Sequence, residues 1–387
     1  MTIIAGIVLL LQAVLAVRVL ARLVRTAGGD HIHADDRPRD ARVAIVVPVL
    51  DERERIGACL AALAAQSDEV REILVVDGGS QDGTQAVTAA HAAADPRIRL
   101  VDASPVPPDA TGKAWGLSVG LRRTSPGTEW ILCVDADVRA APGLTRALIA
   151  HAERTGVPAF SVATRQRLSG AGEALIHPSL LATLVYRFGS PGHATADPSA
   201  VQANGQCFLA RRDLLLATGA VEAARTSLCE DVTIARALAA GGHRVGFYEA
   251  DGLATVGMYR SGREAWRNWP RSLPMRDGFF GWREALGLLE VVFVQALPGP
   301  LLVLTAALGG SRAAIGLEVM LVACRLGVLA GMARAYVDRP LAYWLSPLTD
   351  VPVAVRLMTS ALRRRHRWRG WSYVRRPRGW VRVEEGS

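Results

Sequence analysis

The stretch Ile131-Leu132-Cys133-Val134-Asp135-Ala136-Asp137-Val138 joins a short apolar run to two carboxylates one residue apart. A short run rich in apolar and β-branched residues predicts a buried strand. Because side chains at i and i+2 of an extended chain point to the same side, Asp135 and Asp137 can converge on one point. Unpaired carboxylates are costly beside a buried strand. A divalent cation bound by their oxygens is one explanation, and a turn in which they hydrogen-bond the backbone is the other.

Predicted strands and helices alternate around this stretch. The predicted strands are 43–49, 73–76, 98–101, 130–134, 160–164, 206–210 and 245–248, and the predicted helices are 56–65, 85–94, 113–123, 180–188 and 231–240. This alternation predicts an α/β fold with a mainly parallel sheet and helices on both faces. Ligands of such sheets bind at the carboxyl ends of the strands. Asp51-Glu52, Asp77 and the Asp135/Asp137 pair each follow a predicted strand, so we expect them to form one site.

Apolar residues are more frequent than in an ordinary soluble enzyme, with 50% hydrophobic residues and a mean hydropathy of +0.20. Residues 1–25 predict an uncleaved membrane anchor, because Arg18, Arg22 and Arg25 follow the apolar core, whereas the positive residues of a signal peptide precede it. The expected organisation is this anchor (1–25), a linker (26–42), a cytoplasmic catalytic domain (43–282), C-terminal membrane segments (283–362) and a basic cytoplasmic tail (363–387).

Three apolar segments, 285–310, 313–337 and 341–362, follow the catalytic domain. Three full crossings would place the basic tail outside the cell, against the positive-inside tendency. We therefore expect a multi-pass protein of the cell membrane in which one segment does not cross. Pro298-Gly299-Pro300 divides the first segment and favours a re-entrant or interfacial hairpin there, and the third segment, which is also interrupted by prolines, is the alternative.

Charge and cysteine placement exclude other classes of protein. The formal charge is +9, but residues from Arg363 onward carry nine Arg and two Glu, which leaves only +2 for the rest of the chain. Arginines next to an apolar segment favour anionic lipid headgroups rather than nucleic acid as the partner. The five cysteines are scattered and odd in number, which argues against a disulfide framework or a structural zinc site and favours a reducing compartment.

Several motifs occur in an order that resembles a family 2 (GT-A fold) glycosyltransferase. Val46-Val47-Pro48-Val49-Leu50-Asp51-Glu52, then residues 75–84 and Val134-Asp135-Ala136-Asp137, resemble its nucleotide-sugar half. Residues 204–209 and 229–232 resemble its acceptor half, and the resemblance spans residues 43–275. With residues 112–115 and 258–261, the pattern is most similar to the hopanoid-associated and carotenoid glycosyltransferase branch.

This resemblance implies metal-dependent, inverting transfer of a hexose from a nucleotide-diphosphate sugar of the UDP or GDP type. It implies Mg²⁺ or Mn²⁺ bound by Asp135 and Asp137, and Asp231 as general base with Glu230 beside it. The implied nucleotide-sugar contacts are Pro48, Glu52, Asp77, Gly79, Lys113 and Asp135. The implied acceptor-side contacts are Asn204, Gly205, Gln206, Arg260 and Trp266.

Some of these residues also have a purely structural interpretation. Glu52 and the Glu230-Asp231 pair suit the first turn of a helix, where the helix dipole favours acids. Lys113 opens a predicted helix, where it suits either a diphosphate or a solvated helix end. His177, His193 and His243 show no metal-site or triad spacing, and we interpret them as ordinary residues.

The membrane segments favour a lipid acceptor, either a hydroxylated isoprenoid such as a carotenoid or hopanoid, or a polyprenyl phosphate. Processive relatives carry Gln-x-x-Arg-Trp after the general base, and this chain does not. Arg364 to Trp368 fits Arg-x-x-Arg-Trp, but it follows the apolar segments and we discount it as that motif. Two alternatives stay open: a processive synthase of an extracellular polysaccharide, and a catalytically silent membrane scaffold of the same fold.

Overall fold

The computed structural model describes residues 2–368, 371–376 and 379–383. Its strands are β1 (Val43–Val49), β2 (Val70–Asp77), β3 (Ile98–Asp102), β4 (Trp130–Val134), β5 (Val138–Ala140), β6 (Ala159–Ala163), β7 (Arg165–Gln166), β8 (His193–Thr195), β9 (Cys207–Arg211), β10 (Val245–Glu249), β11 (Ala254–Val256), β12 (Arg365–Trp368), β13 (Trp371–Arg376) and β14 (Gly379–Val383).

The helices fall into two sets, one around the sheet and one at the two ends of the chain. They are α1 (Thr2–Thr26), α2 (Arg53–Ala64), α3 (Thr84–Ala94), α4 (Gly112–Arg123), α5 (Leu144–Thr155), α6 (Ala171–Phe188), α7 (Arg212–Thr218), α8 (Ala220–Ala223), α9 (Glu230–Ala240), α10 (Gly262–Asn268), α11 (Trp282–Glu290), α12 (Pro298–Ala307), α13 (Arg312–Gly331), α14 (Leu341–Trp344) and α15 (Asp350–Leu362). A π-helical stretch, Val291–Ala296, continues α11.

An eight-stranded sheet in the order β3-β2-β1-β4-β9-β6-β10-β8 forms the centre of the fold. Strands β3, β2, β1 and β4 are parallel, β9 is antiparallel to both of its neighbours, and β10 is parallel to β6. Along β1, Ile45 and Val47 pack into the apolar layer on one face, and Ala44 and Val46 into the layer on the other. Burial on both faces explains the unbroken apolar runs of the sequence, and the mainly parallel α/β sheet is as predicted.

Most predicted elements lie close to the observed ones, and β1 and β4 have the predicted bounds. Helix α6 is the main exception, because it begins at Ala171 and includes Pro178, whereas the prediction began at residue 180. The positive φ of Asp51 (53°) turns the chain immediately after β1. Asp135 and Asp137 lie between β4 and β5, so the carboxyl ends of β1 and β4 share one edge of the sheet.

Helices from both ends of the chain pack together beside the sheet. Leu15 and Val19 of α1 share an apolar cluster with residues of α6, α13 and α15. Polar pairs reinforce this packing: Gln12 Nε2 donates to Glu318 Oε2 at 3.0 Å, and Arg18 and Arg22 form ion pairs with the buried Glu290 at 2.9 and 2.7 Å. Helix α1 is therefore held by the C-terminal helices.

Two helices in the described ranges, Gly6–Thr26 and Arg312–Ala335, are long and apolar enough to cross a membrane. The pair Trp282–Ala296 and Pro298–Ala307 is bent by 47°, which is the geometry of either a broken span or a re-entrant loop. The third predicted segment, 341–362, is divided into α14 and α15, and α15 has only 13 residues. Arg325 of α13 forms a buried ion pair with Asp350 at 2.7 Å, which ties this segment to the candidate span.

The described part of the predicted tail forms a three-stranded sheet, β12-β13-β14, that packs on the catalytic domain. The Trp380 N–H donates to the carbonyl of Thr226 at 2.8 Å, and Tyr373 and Trp380 share an apolar cluster with Leu228. Residues 369–370, 377–378 and 384–387 of the predicted tail lie outside the described residues.

Candidate active site

A cavity of about 1440 Å³ opens at the carboxyl ends of β1 and β4. Its polar end is lined by the segments that follow these two strands, by the first turns of α4 and α9, and by residues 204–206. These segments are distant in the sequence, and the sheet order brings them together because β1, β4 and β9 are neighbours. Ligand sites of open α/β sheets form at this edge.

Asp135 and Asp137 both line the polar end, although they lie in the turn between β4 and β5 and not on the extended chain that the i, i+2 prediction assumed. Asp137 Oδ1 is buried and has no hydrogen-bond partner within the described ranges. Burial, followed by the charge of Asp135, raises the pKa of Asp137 to about 7. A buried carboxylate oxygen without a donor fits a divalent cation, which removes the electrostatic cost of that burial. No cluster of three or more metal-ligating side chains occurs in the part of the chain that the structure describes.

Lys113 lies between the two acidic groups of the site. Its Nζ is 2.8 Å from Asp135 Oδ1 and 2.8 Å from Glu230 Oε1. Burial lowers the pKa of Lys113, but the charges of Asp135, Glu230 and Asp231 outweigh it and hold the pKa well above its usual value. The solvated helix-end interpretation of Lys113 is therefore wrong, since the ammonium group bridges two carboxylates inside the cavity.

Asp231 lies in the first turn of α9 and faces the cavity. Its Oδ2 accepts a hydrogen bond from the Gly205 N–H at 2.7 Å, and its Oδ1 accepts one from the Val232 N–H at 2.9 Å. Burial, and then the neighbouring Glu230, raises the pKa of Asp231 to about 7. A carboxylate with a pKa near neutrality suits a general base. The helix-terminal interpretation holds in part, because Glu230 begins α9 and Asp231 follows it in the first turn, but the N-cap position belongs to Cys229.

Of the predicted nucleotide-sugar contacts, Pro48, Glu52, Lys113 and Asp135 line the cavity. Glu52 precedes α2 but makes no side-chain capping hydrogen bond, and Arg55 Nη1 lies 3.6 Å from its carboxylate.

Asp77 and Gly79 do not line the cavity, although the adjacent Gly78 does. The Asp77 carboxylate is buried and accepts hydrogen bonds from the Ser80 N–H at 3.1 Å and from Gln85 Nε2 at 2.6 Å. Gly79 adopts a φ of +99° in the turn above it. In this structure Asp77 supports the turn that carries Gly78, because its acceptor sites face the protein.

The predicted acceptor-side residues divide in the same way. Asn204, Gly205, Gln206 and Arg260 line the cavity. Asn204 Nδ2 donates to Gln206 Oε1 at 2.9 Å, and the Gln206 N–H donates to Asn204 Oδ1 at 3.0 Å, so this pair fixes its own loop. Trp266 and Trp269 both pack against the apolar cluster of the terminal helices, but only Trp269 lines the cavity. The prediction of Trp266 as an acceptor contact is wrong for this arrangement, and Trp269 occupies the cavity wall instead.

Some cavity residues have no signal in the local sequence. His177 is buried, its Nδ1 lies 3.0 Å from the hydroxyl of Tyr336, and burial lowers its pKa to about 3. Trp368 and Tyr373 reach the cavity from β12 and β13. Of the discounted Arg364 to Trp368 segment, Trp368 therefore lines the cavity, and residues 364–367 do not. After the apolar segments the chain packs again beside the central sheet. This packing between distant segments brings Trp368 and Tyr373 to the cavity.

The far end of the cavity is apolar. It runs between α1, α6 and α13 and is lined there by Leu20, Leu23, Leu181, Leu184, Met320 and Val328. We call this part the apolar arm. One continuous space thus joins Asp231 and Lys113 to side chains of both helices that are long and apolar enough to cross a membrane.

Comparison with known proteins gives one family-model match and several similar solved structures. Residues 44–217 match the family model Glycosyl transferase family 2. The mannosyltransferase PcManGT from Pyrobaculum calidifontis, in complex with GDP-Man and Mn²⁺, superposes with a TM-score of 0.53 at 21% identity, over 91% of this chain and 99% of that chain. The glucosyl-3-phosphoglycerate synthase from Mycobacterium tuberculosis, with Mn²⁺, UDP-Glc and phosphoglyceric acid, gives a TM-score of 0.40 at 18% identity, over 64% and 86% of the two chains. Comparison with curated protein sequences finds no match.

The sheet topology and the first of these superpositions define a GT-A-like α/β fold. Residues 44–217 form a glycosyl transferase family 2 domain, and the protein is a glycosyltransferase. The alternative of a catalytically silent scaffold is not retained.

Proposed function

We propose that this glycosyltransferase moves one hexose from a UDP- or GDP-sugar to a membrane lipid, with inversion at the anomeric carbon. The observation that carries the proposal is the continuity of the cavity, which joins the catalytic carboxylates to the apolar arm. A polar, soluble acceptor gains no stabilisation from an apolar space between α1 and α13. Transfer of a lipid chain from water into that space is favourable.

The donor is proposed to lie at the polar end, between Glu52 and Lys113. Glu52 offers acceptor oxygens to the ribose or base, and the Lys113 ammonium, at the N-terminus of α4, offers positive charge to the diphosphate. Asp135 and Asp137 are the residues that would hold Mg²⁺ or Mn²⁺, as the orphaned Oδ1 of Asp137 suggests. When bound, such a cation neutralises negative charge on the leaving diphosphate.

Asp231 is proposed to take the proton of the acceptor hydroxyl. The acceptor oxygen then attacks the anomeric carbon, the bond from that carbon to the diphosphate oxygen breaks, and one displacement inverts the configuration. Two backbone N–H groups, of Gly205 and Val232, hold the Asp231 carboxylate in place. Glu230 holds Lys113 and contributes to the raised pKa of Asp231. A base positioned in this way contributes about 10²- to 10⁴-fold to the rate.

The acceptor is proposed to be a hydroxylated isoprenoid, such as a carotenoid or hopanoid, or a polyprenyl phosphate. The resemblance to the hopanoid-associated and carotenoid branch favours the first class. We also propose that residues 43–282 are cytoplasmic at the cell membrane, anchored by residues 1–25 through the linker 26–42 and by residues 283–362.

The experiment that tests the proposal fills the apolar arm. Gly327 and Gly316 both lie on α13 with no atom within 4 Å of an added Cβ, but only Gly327 lines the cavity. Gly327→Trp is expected to lower transfer to long-chain acceptors about 10-fold or more, because the indole occupies the space of the chain. Transfer to short-chain acceptors and donor hydrolysis are expected to stay within twofold, and Gly316→Trp is the matched control. Equal rates of long-chain transfer in the two variants would show that the arm does not hold the acceptor.

A second candidate function is a processive polysaccharide synthase, and one observation favours it. Trp368 closes the Arg-x-x-Arg-Trp sequence and lines the cavity, where an aromatic ring can stack on a sugar. Product length on a defined acceptor distinguishes the two functions, because the lipid hexosyltransferase adds one sugar and the synthase adds many.

A further inference from the structure

A second pocket, of about 390 Å³, adjoins the catalytic cavity and is strongly basic. Six arginines line it, with no Asp or Glu among the lining residues: Arg267, Arg271, Arg356, Arg363, Arg365 and Arg367. We call it the arginine pocket. Three separate segments supply these side chains, namely residues 267–271, the C-terminal half of α15 with the residue that follows it, and β12.

The convergence of these charges is only partly explained by local structure. Positive side chains are favourable near the C-terminus of a helix, which accounts for Arg363 after α15. The same effect accounts for Arg267 in the last turn of α10, but not for Arg365 on β12. Like charges brought together repel one another, and an anion bound between them removes that repulsion.

The positive charge has little compensation within the protein. Arg267, Arg356, Arg363 and Arg365 form no ion pair within residues 2–368, 371–376 and 379–383. Arg356 Nε is buried and has no hydrogen-bond partner in those ranges. His366 lines the same pocket, and its pKa is lowered to about 4 by burial and then by the charges of Arg271, Arg363 and Arg356. The pocket therefore concentrates positive charge, with Arg271 and Arg356 partly buried and the other four arginines exposed to solvent.

The arginine pocket shares a wall with the catalytic cavity. Asn268, Arg271 and Trp368 line both spaces, and the guanidinium of Arg271 lies 4.4 Å from the centre of the Trp368 ring. An anion in the pocket would thus lie beside the cavity that we propose for the lipid acceptor. Guanidinium groups bind phosphate oxygens through paired N–H donors, which makes phosphate the anion that best suits this set of side chains.

We propose that the arginine pocket binds the phosphate group of a lipid at the mouth of the catalytic cavity. Two lipids carry that chemistry, a polyprenyl phosphate as a phosphomonoester and a membrane phospholipid as a phosphodiester. The interpretation as an acceptor site rests on the proposed function, whereas binding of the phosphate does not.

The test compares two variants that each remove two positive charges from the region between the end of α15 and the end of β13. Arg363→Gln with Arg365→Gln removes two arginines of the pocket. Arg364→Gln with Arg376→Gln removes two exposed arginines that do not line it. Binding of farnesyl phosphate, farnesol and dihexanoyl phosphatidylglycerol to the full-length protein in detergent is measured by calorimetry. Farnesyl phosphate is expected to bind the pocket variant about 10-fold more weakly or worse, and the control variant within twofold of the unmodified protein.

The outcomes separate the sources of the phosphate. A loss confined to farnesyl phosphate supports an acceptor site, and an equal loss for phosphatidylglycerol supports a phospholipid site in the same pocket. Equal losses in the two variants, or farnesol binding as tightly as farnesyl phosphate, would overturn the proposal. Binding of UDP and GDP with Mn²⁺ by the same preparations tests the proposed function separately. If the protein binds farnesyl phosphate but no nucleotide, the proposal that the arginine pocket binds phosphate stands and the proposed function fails.

Discussion

The substitution Gly205→Ala tests whether the close packing of Gly205 against Lys113 and Asp231 controls catalysis. A Cβ at position 205 would lie 2.8 Å from Lys113 Nζ, 3.2 Å from Asp231 Cβ and 3.2 Å from Glu230 Oε1. The first distance is shorter than real Cβ contacts, so the ammonium group must move. The other two are tight contacts with the first turn of α9, which carries Asp231.

The expected cost falls on activity rather than on stability. Lys113 Nζ is the end of a flexible side chain and can move at little cost in folding energy, so we expect the free energy of unfolding to fall by about 1 kcal/mol or less. Movement of the ammonium group weakens its contacts with Asp135 and Glu230, both 2.8 Å long. A displacement of reacting groups by about 1 Å costs on the order of 100-fold in rate, which corresponds to about 2.7 kcal/mol of transition-state stabilisation.

The assay measures kcat/KM for sugar transfer and the thermal unfolding midpoint of the same preparation. Gly257→Ala is the matched control, because its Cβ would have no atom within 4 Å and the residue lies outside the cavity. A Gly205→Ala variant with kcat/KM within twofold of the unmodified enzyme would refute the reasoning. So would a parallel loss in Gly257→Ala.

Four further predictions concern the acid groups and the docked tail. Because burial raises the pKa of Asp231 to about 7, kcat/KM is expected to fall tenfold per pH unit below about pH 7 and to level off above it. Asp231→Asn is expected to abolish transfer and to leave nucleotide binding intact. Unchanged activity in this variant would exclude Asp231 as the base. The folded state binds the proton of the Asp231 carboxyl more tightly than the unfolded state, so the ionised carboxylate destabilises the fold above pH 7. Asp231→Asn is therefore expected to raise the unfolding midpoint at pH 8, and thermal scans at pH 8 and pH 5 check this. Mn²⁺ that binds the folded protein raises its unfolding midpoint, and Asp137→Asn is expected to remove this rise. Asp102→Asn, at the end of β3 and outside the cavity, is expected to retain it. Trp380→Ala removes a buried indole that is 4% exposed, and it is expected to weaken docking of β12–β14 by about 3 kcal/mol. Weaker docking is expected to speed proteolysis after residue 363, and an unchanged cleavage rate would contradict this prediction.

The sequence predicts the parts of the structure that depend on local patterns. Strands such as Val43–Val49 and Trp130–Val134 are buried on both faces, so each appears as a continuous apolar run with clear ends. Asp135 and Asp137 follow such a run, but they lie in the turn between β4 and β5, so the geometry of an extended strand does not explain why both line the cavity. The meeting of Asp231 with Gly205 depends instead on the resemblance to a known family, because 26 residues separate them.

The rest depends on contacts between distant segments, which local patterns do not encode. Trp368 and Tyr373 look like parts of a basic tail, and only the packing of Trp380 against the segment at Thr226 brings them to the cavity. Trp266 and Trp269 lie on consecutive turns of one short region, and the orientation of that region decides which ring lines the cavity. Aromatic composition alone does not distinguish them.

The most direct test of the central claim is a transfer reaction with a labelled donor. The purified full-length protein is incubated with Mn²⁺, UDP- or GDP-hexose and either a hydroxylated isoprenoid or a polyprenyl phosphate, and the organic phase is examined by mass spectrometry and NMR. The account predicts a lipid product that carries one hexose with inverted anomeric configuration, formed by the unmodified enzyme and absent with Asp231→Asn. Failure to bind or hydrolyse any UDP- or GDP-sugar in the presence of Mn²⁺ would contradict it.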